Sequence, residues 1–176
     1  MGSASRRVRA SQTRARVAHI LVVCSGNICR SPFAEGYLRM RLEQRGLRRW
    51  RVSSGGTLDI VGEPASEPAV RLARQYGFEL EAHRSKGLAS STIARARVIL
   101  VMEEAHLREV ATQWPQKASA IRLVNEFHPA VSDSAMPPDV EDPVGGSIAE
   151  HRRCFEPMIA SLDAFVGRLV ESGLRT

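Results

Sequence analysis

The chain has 176 residues, 43% of them apolar, with three cysteines and a formal charge of +6, which is enough for one domain that folds on its own core without disulfides or metal. Three cysteines fit a reducing cytoplasm, the expected location, better than a disulfide-scaffolded secreted domain. No apolar run approaches the roughly 20 residues of a membrane span.

Residues 1–17 form the first predicted element, a basic arm expected to be disordered. Arg6, Arg7, Arg9, Arg14 and Arg16 supply five positive charges there with no acid among them, so residues 18–176 carry only +1. No hydrophobic segment follows the arm, which therefore does not read as a secretory signal. The arm is the one segment whose charge suits nucleic acid. A solubilising tail, a cloning remnant at Met1-Gly2-Ser3 and a mitochondrial targeting arm are the other readings. The body, 18–176, is predicted to be one domain.

Four apolar, β-rich runs are predicted as strands: His19–Val23, Trp50–Ser53, Arg97–Met102 and Ala120–Val124. Helices are predicted over Ser31–Arg45, Pro64–Tyr76, Glu103–Thr112 and Ser147–Val170. Alternation of strands and helices predicts an α/β three-layer sandwich, a four-stranded parallel sheet flanked by helices on both faces. Val98-Ile99-Leu100-Val101-Met102 shows no polar alternation, as expected of a strand buried on both sides. In the last helix Ile148, Phe155, Ile159, Leu162, Phe165, Val166 and Leu169 recur at three-to-four spacing and form a stripe for docking on the sheet. The longest irregular stretch, Asn125 to Gly146, is too long for a passive connection and is expected to carry function.

The chemistry centres on Cys24-Ser25-Gly26-Asn27-Ile28-Cys29-Arg30-Ser31-Pro32, between the first strand and the first helix. A cysteine, five residues and an arginine at such a junction form a cup for a phosphate. Turn N–H groups point inward, the helix N-terminus adds its positive end, and the guanidinium closes over the oxygens. The Cys24 thiol at the bottom is a nucleophile aimed at phosphorus, in a field that favours its thiolate. Gly26 permits a tight turn, Asn27 ties the loop's own backbone, Ser31 can bond the sulfur, and Pro32 suits a first helical turn. Packing of Cys24 and Cys29 around an ordinary strand–helix turn is the plain alternative. A zinc site is excluded by spacing, because Cys154 is remote and no Cys/His cluster fits.

Cys24 to Pro32 resembles the signature of the low-molecular-weight protein tyrosine phosphatase family. The similarity continues through Ser53-Ser54-Gly55-Gly56-Thr57, Val61-Gly62-Glu63-Pro64, Gly77-Phe78, His83-Arg84-Ser85, Val98–Met102 and Glu141-Asp142-Pro143, covering about residues 18 to 170. The resemblance implies a metal-independent phosphomonoesterase, with no cofactor, acting on phosphotyrosine through a phosphocysteine. Cys24 would be the nucleophile, Arg30 the phosphate clamp, and Asp142 the acid that protonates the leaving oxygen and then activates water. Ser25, Gly26, Asn27, Ile28, Cys29 and Ser31 would bind substrate, with Ile60 and Val144 at the walls. Asp139 and Glu141 read as solvated decoys. Cys29 is a packing residue or, as the resemblance implies, a disulfide partner that protects Cys24. Cys154 reads as inert, His83 as structural, and His106, His128 and His151 as surface residues.

The aromatic residues that line the slot in many family members are absent: Val144-Gly145-Gly146 follows Asp142-Pro143, and the loop Thr57–Gly62 is aliphatic. That loop is similar to bacterial members acting on tyrosine kinases of polysaccharide export, which implies a phosphorylated protein, such as such a kinase, as partner. Asp-Pro-x-Gly-Gly-Ser also resembles the protein arginine phosphatases, the alternative activity. Those carry Thr where this chain has Ile28, whose bulk argues for a phenol ring. Thioredoxin-coupled arsenate reductases need two more cysteines near residues 80–95, which this chain lacks. A non-catalytic phosphate- or nucleic-acid-binding module is the reading from another class.

Overall fold

The structure is a computed structural model and describes residues 17–132 and 137–172. The basic arm lies outside the described residues, except for Val17. The described chain forms four strands, β1 (Ala18–Cys24), β2 (Trp50–Gly56), β3 (Val98–Val101) and β4 (Ile121–Leu123). Five α-helices join them: α1 (Arg30–Gln44), α2 (Glu67–Gln75), α3 (Ser90–Arg95), α4 (Glu104–Gln113) and α5 (Ile148–Glu171). The expected fold class is observed, with a single all-parallel sheet in the order β2-β1-β3-β4.

Alternation along the strands sorts the core into two layers. Ile20, Val22 and Cys24 of β1 face a cluster completed by α1, α2 and α5, including Phe33, Leu38, Leu72, Phe155 and Leu162. Leu21 and Val23 face the other side, with Ile93 of α3, Val110 of α4 and Ile99, Val101, Ile121 and Leu123 of the sheet. Helices on both faces bury the central strands completely, which is why their sequences are continuous aliphatic runs.

The helix ends follow local chemistry. The predicted start of α2 moves from Pro64 to Glu67 because Ser66 caps it, its hydroxyl accepting from Ala69 N at 3.4 Å. Ser147 and Glu150 form a capping box at the start of α5. The second strand extends past its predicted end at Ser53 to Gly56, because register with β1 carries Ser53-Ser54-Gly55-Gly56 along to the partner of Cys24. The short helix α3, and 3-10 turns at Pro115–Ala120 and Val124–Phe127, were not expected. Part of the predicted irregular stretch is thus regular, and residues 133–136 of it lie outside the described residues. At the free side of β2, the Arg39 guanidinium donates to Val52 O through Nε at 3.3 Å and Nη2 at 3.0 Å, and it also pairs with Glu35.

The strand order places β1 between β2 and β3, so consecutive connections leave β1 in opposite directions. The resulting crevice lies at the carboxyl ends of β1 and β3, where ligands sit in open α/β sheets.

Phe155 is fully buried with its ring centroid 4.2 Å from that of Phe33, at the seam of α1 and α5. Phe155→Ala is expected to lower unfolding free energy by about 3–5 kcal/mol in urea titrations with the slope unchanged. A loss below about 1 kcal/mol would show that this seam is not part of the core.

Candidate active site

Four segments converge on the crevice: residues 24–30 after β1, the loop after β2 that carries Leu58 and Ile60, Met102 and Glu103 after β3, and the loop from Pro137 to Ser147. The first, second and last of them surround a cavity of about 110 Å³ lined by Cys24, Ser25, Gly26, Ile28, Cys29, Arg30, Leu58, Ile60, Asp142 and Val144.

Asn27 organises the first segment. It is fully buried with φ of 54°, in the left-handed region that asparagine tolerates better than most residues. Its Nδ2 donates to Ser31 Oγ and Ser54 Oγ, both at 2.8 Å, and its Oδ1 accepts from Lys86 N at 3.0 Å. Its carbonyl accepts from His83 Nε2 at 2.8 Å, which gives His83 the expected structural place. Ser31 Oγ, which accepts from Asn27, lies 3.0 Å from Cys24 Sγ, where its hydroxyl can donate to a thiolate. The backbone N–H of Asn27 donates to the same sulfur at 3.3 Å. Two donors therefore converge on Cys24. Gly56 backs the loop so closely that a Cβ there would stand 2.6 Å from Ser25 O.

Arg30 is 1% exposed and organises the second network. Nη1 donates to Glu103 and to Val140 O at 2.9 Å, while Nη2 donates to Asp142 Oδ2 at 2.5 Å and to Ser25 Oγ at 3.4 Å. Its Nε is buried with no hydrogen-bond partner among the described residues. Burial alone would lower the guanidinium pKa. The hydrogen bond to Glu103 and the charges of Asp142, Cys24 and Glu103 outweigh it and raise the pKa.

Asp142 reaches Arg30 because its loop is pinned on both sides. Val140 N donates to Met102 O at 2.7 Å, the Cys154 thiol donates to Glu141 O at 3.0 Å, and Asn125 Nδ2 donates to Pro137 O and Asp139 O at 3.1 and 3.2 Å. Asp142 Oδ1 accepts from Val144 N at 3.1 Å, so a local turn aims the carboxylate.

Of the expected site residues, Cys24, Ser25, Gly26, Ile28, Cys29, Arg30, Ile60, Asp142 and Val144 line one cavity. Asn27 and Ser31 stand behind it as hydrogen-bond partners of the loop. Several expectations are corrected. His106 and His151 are buried, not surface residues: His106 contacts Ser25, and His151 lies between Ser66 Oγ at 3.2 Å and Ser147 O at 3.1 Å. His128 is half-buried. Asp139 is not merely solvated, since Oδ1 accepts from Glu104 N at 2.8 Å at the start of α4. Glu141 is an exposed loop charge as expected. Glu103 and Leu58 were missed. Position was the available signal for Glu103, a carboxylate directly after the strand beside β1, at the same end of a parallel sheet as Cys24.

Burial pushes the Cys154 thiol up to about 12, and burial also raises Cys29. A thiol alkylates only as its thiolate. Iodoacetamide on the folded protein at pH 8 is therefore expected to modify Cys24, which lines the cavity, and to leave Cys154 intact until urea unfolds the chain. Mass spectrometry of the digest reads the result, and equal labelling of Cys24 and Cys154 in the native state would contradict the site as described.

The model of the family described as "Low molecular weight phosphotyrosine protein phosphatase" matches residues 19–173. The chain is 33% identical over 150 residues to a probable low molecular weight protein-tyrosine-phosphatase, EpsP, of Ralstonia nicotianae, covering 85% of this chain and 94% of the relative. Among solved structures, the low molecular weight protein tyrosine phosphatase of T. tengcongensis is 32% identical with a TM-score of 0.77, covering 86% of this chain and 99% of that one. The YwlE arginine phosphatase of Geobacillus stearothermophilus is 29% identical with a TM-score of 0.77, covering 89% of this chain and 96% of that one.

Proposed function

Because the chain belongs to the low molecular weight phosphotyrosine protein phosphatase family, we propose that Cys24, Arg30 and Asp142 carry out its reaction, the hydrolysis of phosphotyrosine in a phosphorylated protein. The observation that carries this assignment is Arg30 Nε, a buried N–H without a partner among the described residues, in an arginine that lines the same cavity as Cys24. A buried orphan donor on a guanidinium beside a nucleophile suits an oxygen of the transferring phosphoryl group. Turning Nη2 from Asp142 to a second phosphoryl oxygen makes the grip bidentate and releases the carboxyl group for proton transfer.

Cys24 Sγ, which faces the Ser31 hydroxyl and the Asn27 amide, attacks phosphorus. The P–O bond to the tyrosine breaks, and Asp142 gives its proton to the departing oxygen. Asp142, now a carboxylate, takes a proton from water as that water attacks the phosphocysteine, and the S–P bond breaks to return the thiolate and inorganic phosphate. Loop amides and Arg30 offset the phosphoryl charge, so the reaction needs no metal.

The walls favour an aromatic leaving group. Ile28, Ile60, Leu58 and Val144 offer aliphatic surface to a phenol ring, whereas a phosphorylated guanidinium would bury N–H groups against them with Asp142 as the one carboxylate of the lining. The Gly-Gly turn after Val144 supports the arginine alternative less than these walls support tyrosine. The partner we favour is a tyrosine-phosphorylated kinase, on the likeness of the Thr57–Gly62 loop to bacterial relatives. A thiol nucleophile with two further free cysteines suits the reducing cytoplasm. Among the described residues, no helix is long and apolar enough to cross a membrane.

Phosphate release from matched phosphotyrosine and phosphoarginine peptides, in EDTA, tests the substrate. Tyrosine preference is expected, with Cys24→Ser reducing release to background, and arginine preference would overturn the substrate reading. Asp142→Asn is expected to lower kcat on phosphotyrosine by about 10²–10⁴. An unchanged kcat would assign the acid elsewhere.

A further inference from the structure

Ser25 stands between the cup and a buried histidine. Its Oγ lies 2.9 Å from His106 Nε2 and accepts from Arg30 Nη2 at 3.4 Å, and Ser25 lines the cavity beside Cys24. His106 sits near the start of α4, is 3% exposed, and has its other ring nitrogen, Nδ1, buried with no hydrogen-bond partner among the described residues. Among the described residues the Ser25 hydroxyl is therefore the one hydrogen-bond partner of this ring. A leucine would fill such a position without leaving a nitrogen orphaned, so the imidazole needs a reason beyond packing.

The two arrangements of the pair differ in what the cup presents. With the ring proton on Nδ1, Nε2 accepts the Ser25 hydrogen and turns it away from the cavity. With the proton on Nε2, the ring and Arg30 both donate to Ser25 Oγ. The oxygen is then saturated as an acceptor, and its hydrogen is left to point at the cavity. We propose that His106 is a positioning residue for the phosphoryl group, donating through Nε2 to Ser25 so that the Ser25 hydroxyl becomes a further donor to a bound phosphoryl oxygen.

The surroundings favour this relay. Glu103, Glu109 on α4 and Asp142 face the ring with negative charge, and Arg30 on α1 faces it with positive charge. Burial lowers the basicity of His106. The ring near pH 7 is thus neutral, with a single proton that the field can place on either nitrogen. An anion in the cup draws N–H and O–H dipoles toward itself, which selects the Nε2–H form and aligns His106, Ser25 and the phosphoryl oxygen in one chain. The proposal rests on the phosphatase reading only for the identity of the natural anion, since the same relay serves any tetrahedral dianion.

Sulfate, which stays dianionic from pH 5 to 8, is the probe, with calorimetric titration of the full chain as the readout. Ser25→Ala and His106→Leu are each expected to weaken sulfate binding roughly tenfold, and the double variant no further, because both remove one donor. His106→Gln, whose amide can donate to Ser25, is expected to restore affinity to within about threefold of wild type. Nitrogen-15 spectra of the imidazoles should show the His106 proton on Nε2 in the sulfate complex. Full sulfate affinity in His106→Leu, additive losses in the double variant, or an Nδ1–H ring with sulfate bound would each overturn the proposal. If His106→Leu does not fold, the ring spectrum and Ser25→Ala decide. Sulfate coupling without phosphotyrosine turnover would overturn the function proposed above and leave the relay standing, and turnover with no loss in His106→Leu would do the reverse.

Discussion

Asn27 holds a backbone conformation that most residues avoid, and its side-chain amide is what makes that conformation affordable in a fully buried place. Each polar atom of the amide has a partner, on α1, on β2 and in the segment around Lys86. Removing any of these partners leaves a buried donor or acceptor unmatched, so the cost is that of desolvation and not of one modest hydrogen bond. The order of donors also has direction. Asn27 gives hydrogens to both serines, Ser31 stands beside Cys24 Sγ with a hydrogen of its own that can serve a thiolate, and Ser54 gives its own to Glu35 at 2.5 Å. The buried amide thereby sets the surroundings of the sulfur.

Arg30 joins the cup to the loop that carries Asp142. One guanidinium touches the segment after β3 through Glu103, the loop through Val140 O and Asp142, and the cup through Ser25. Three separate stretches of chain thus share one rigid, planar cation, and the relative placement of nucleophile and acid is fixed by its geometry. Lysine could not hold them, because a single ammonium lacks the fork. Val140 reinforces the link from the other side, its amide bonded to Met102 O while its carbonyl meets Arg30.

Much of this was legible in order along the chain. Continuous aliphatic runs mark strands buried on both faces, and Cys24 to Pro32 states its chemistry in consecutive residues. What was not legible depends on pairing across the sheet or on overruling residue type. Ser54-Gly55-Gly56 has little strand propensity, and only its register with β1 makes it strand. Ser90–Arg95 is too short to show helical periodicity. His106 stands four residues before the buried Val110, and His151 four before the buried Phe155, so helical spacing placed both on inner faces. Their polarity argued otherwise, and each meets a hydroxyl that belongs to a distant segment. Glu103 needed the strand order to be known before its closeness to Arg30 made sense.

The chain of donors that begins at Asn27 does not stop at Glu35. That carboxylate also pairs with Arg39, whose guanidinium reaches over to the carbonyl of Val52 on a strand that, among the described residues, has β1 on one side and on the other only a bridge from Gly56 to Gly87 at its far end. An open strand edge is a template on which a second molecule can continue the sheet, and a charge laid across it is one of the ways proteins prevent that. The network that shapes the interior of the cup therefore also guards the outer border of the sheet. Loosening it would show not only as lost catalysis but as a protein that sticks to its own copies.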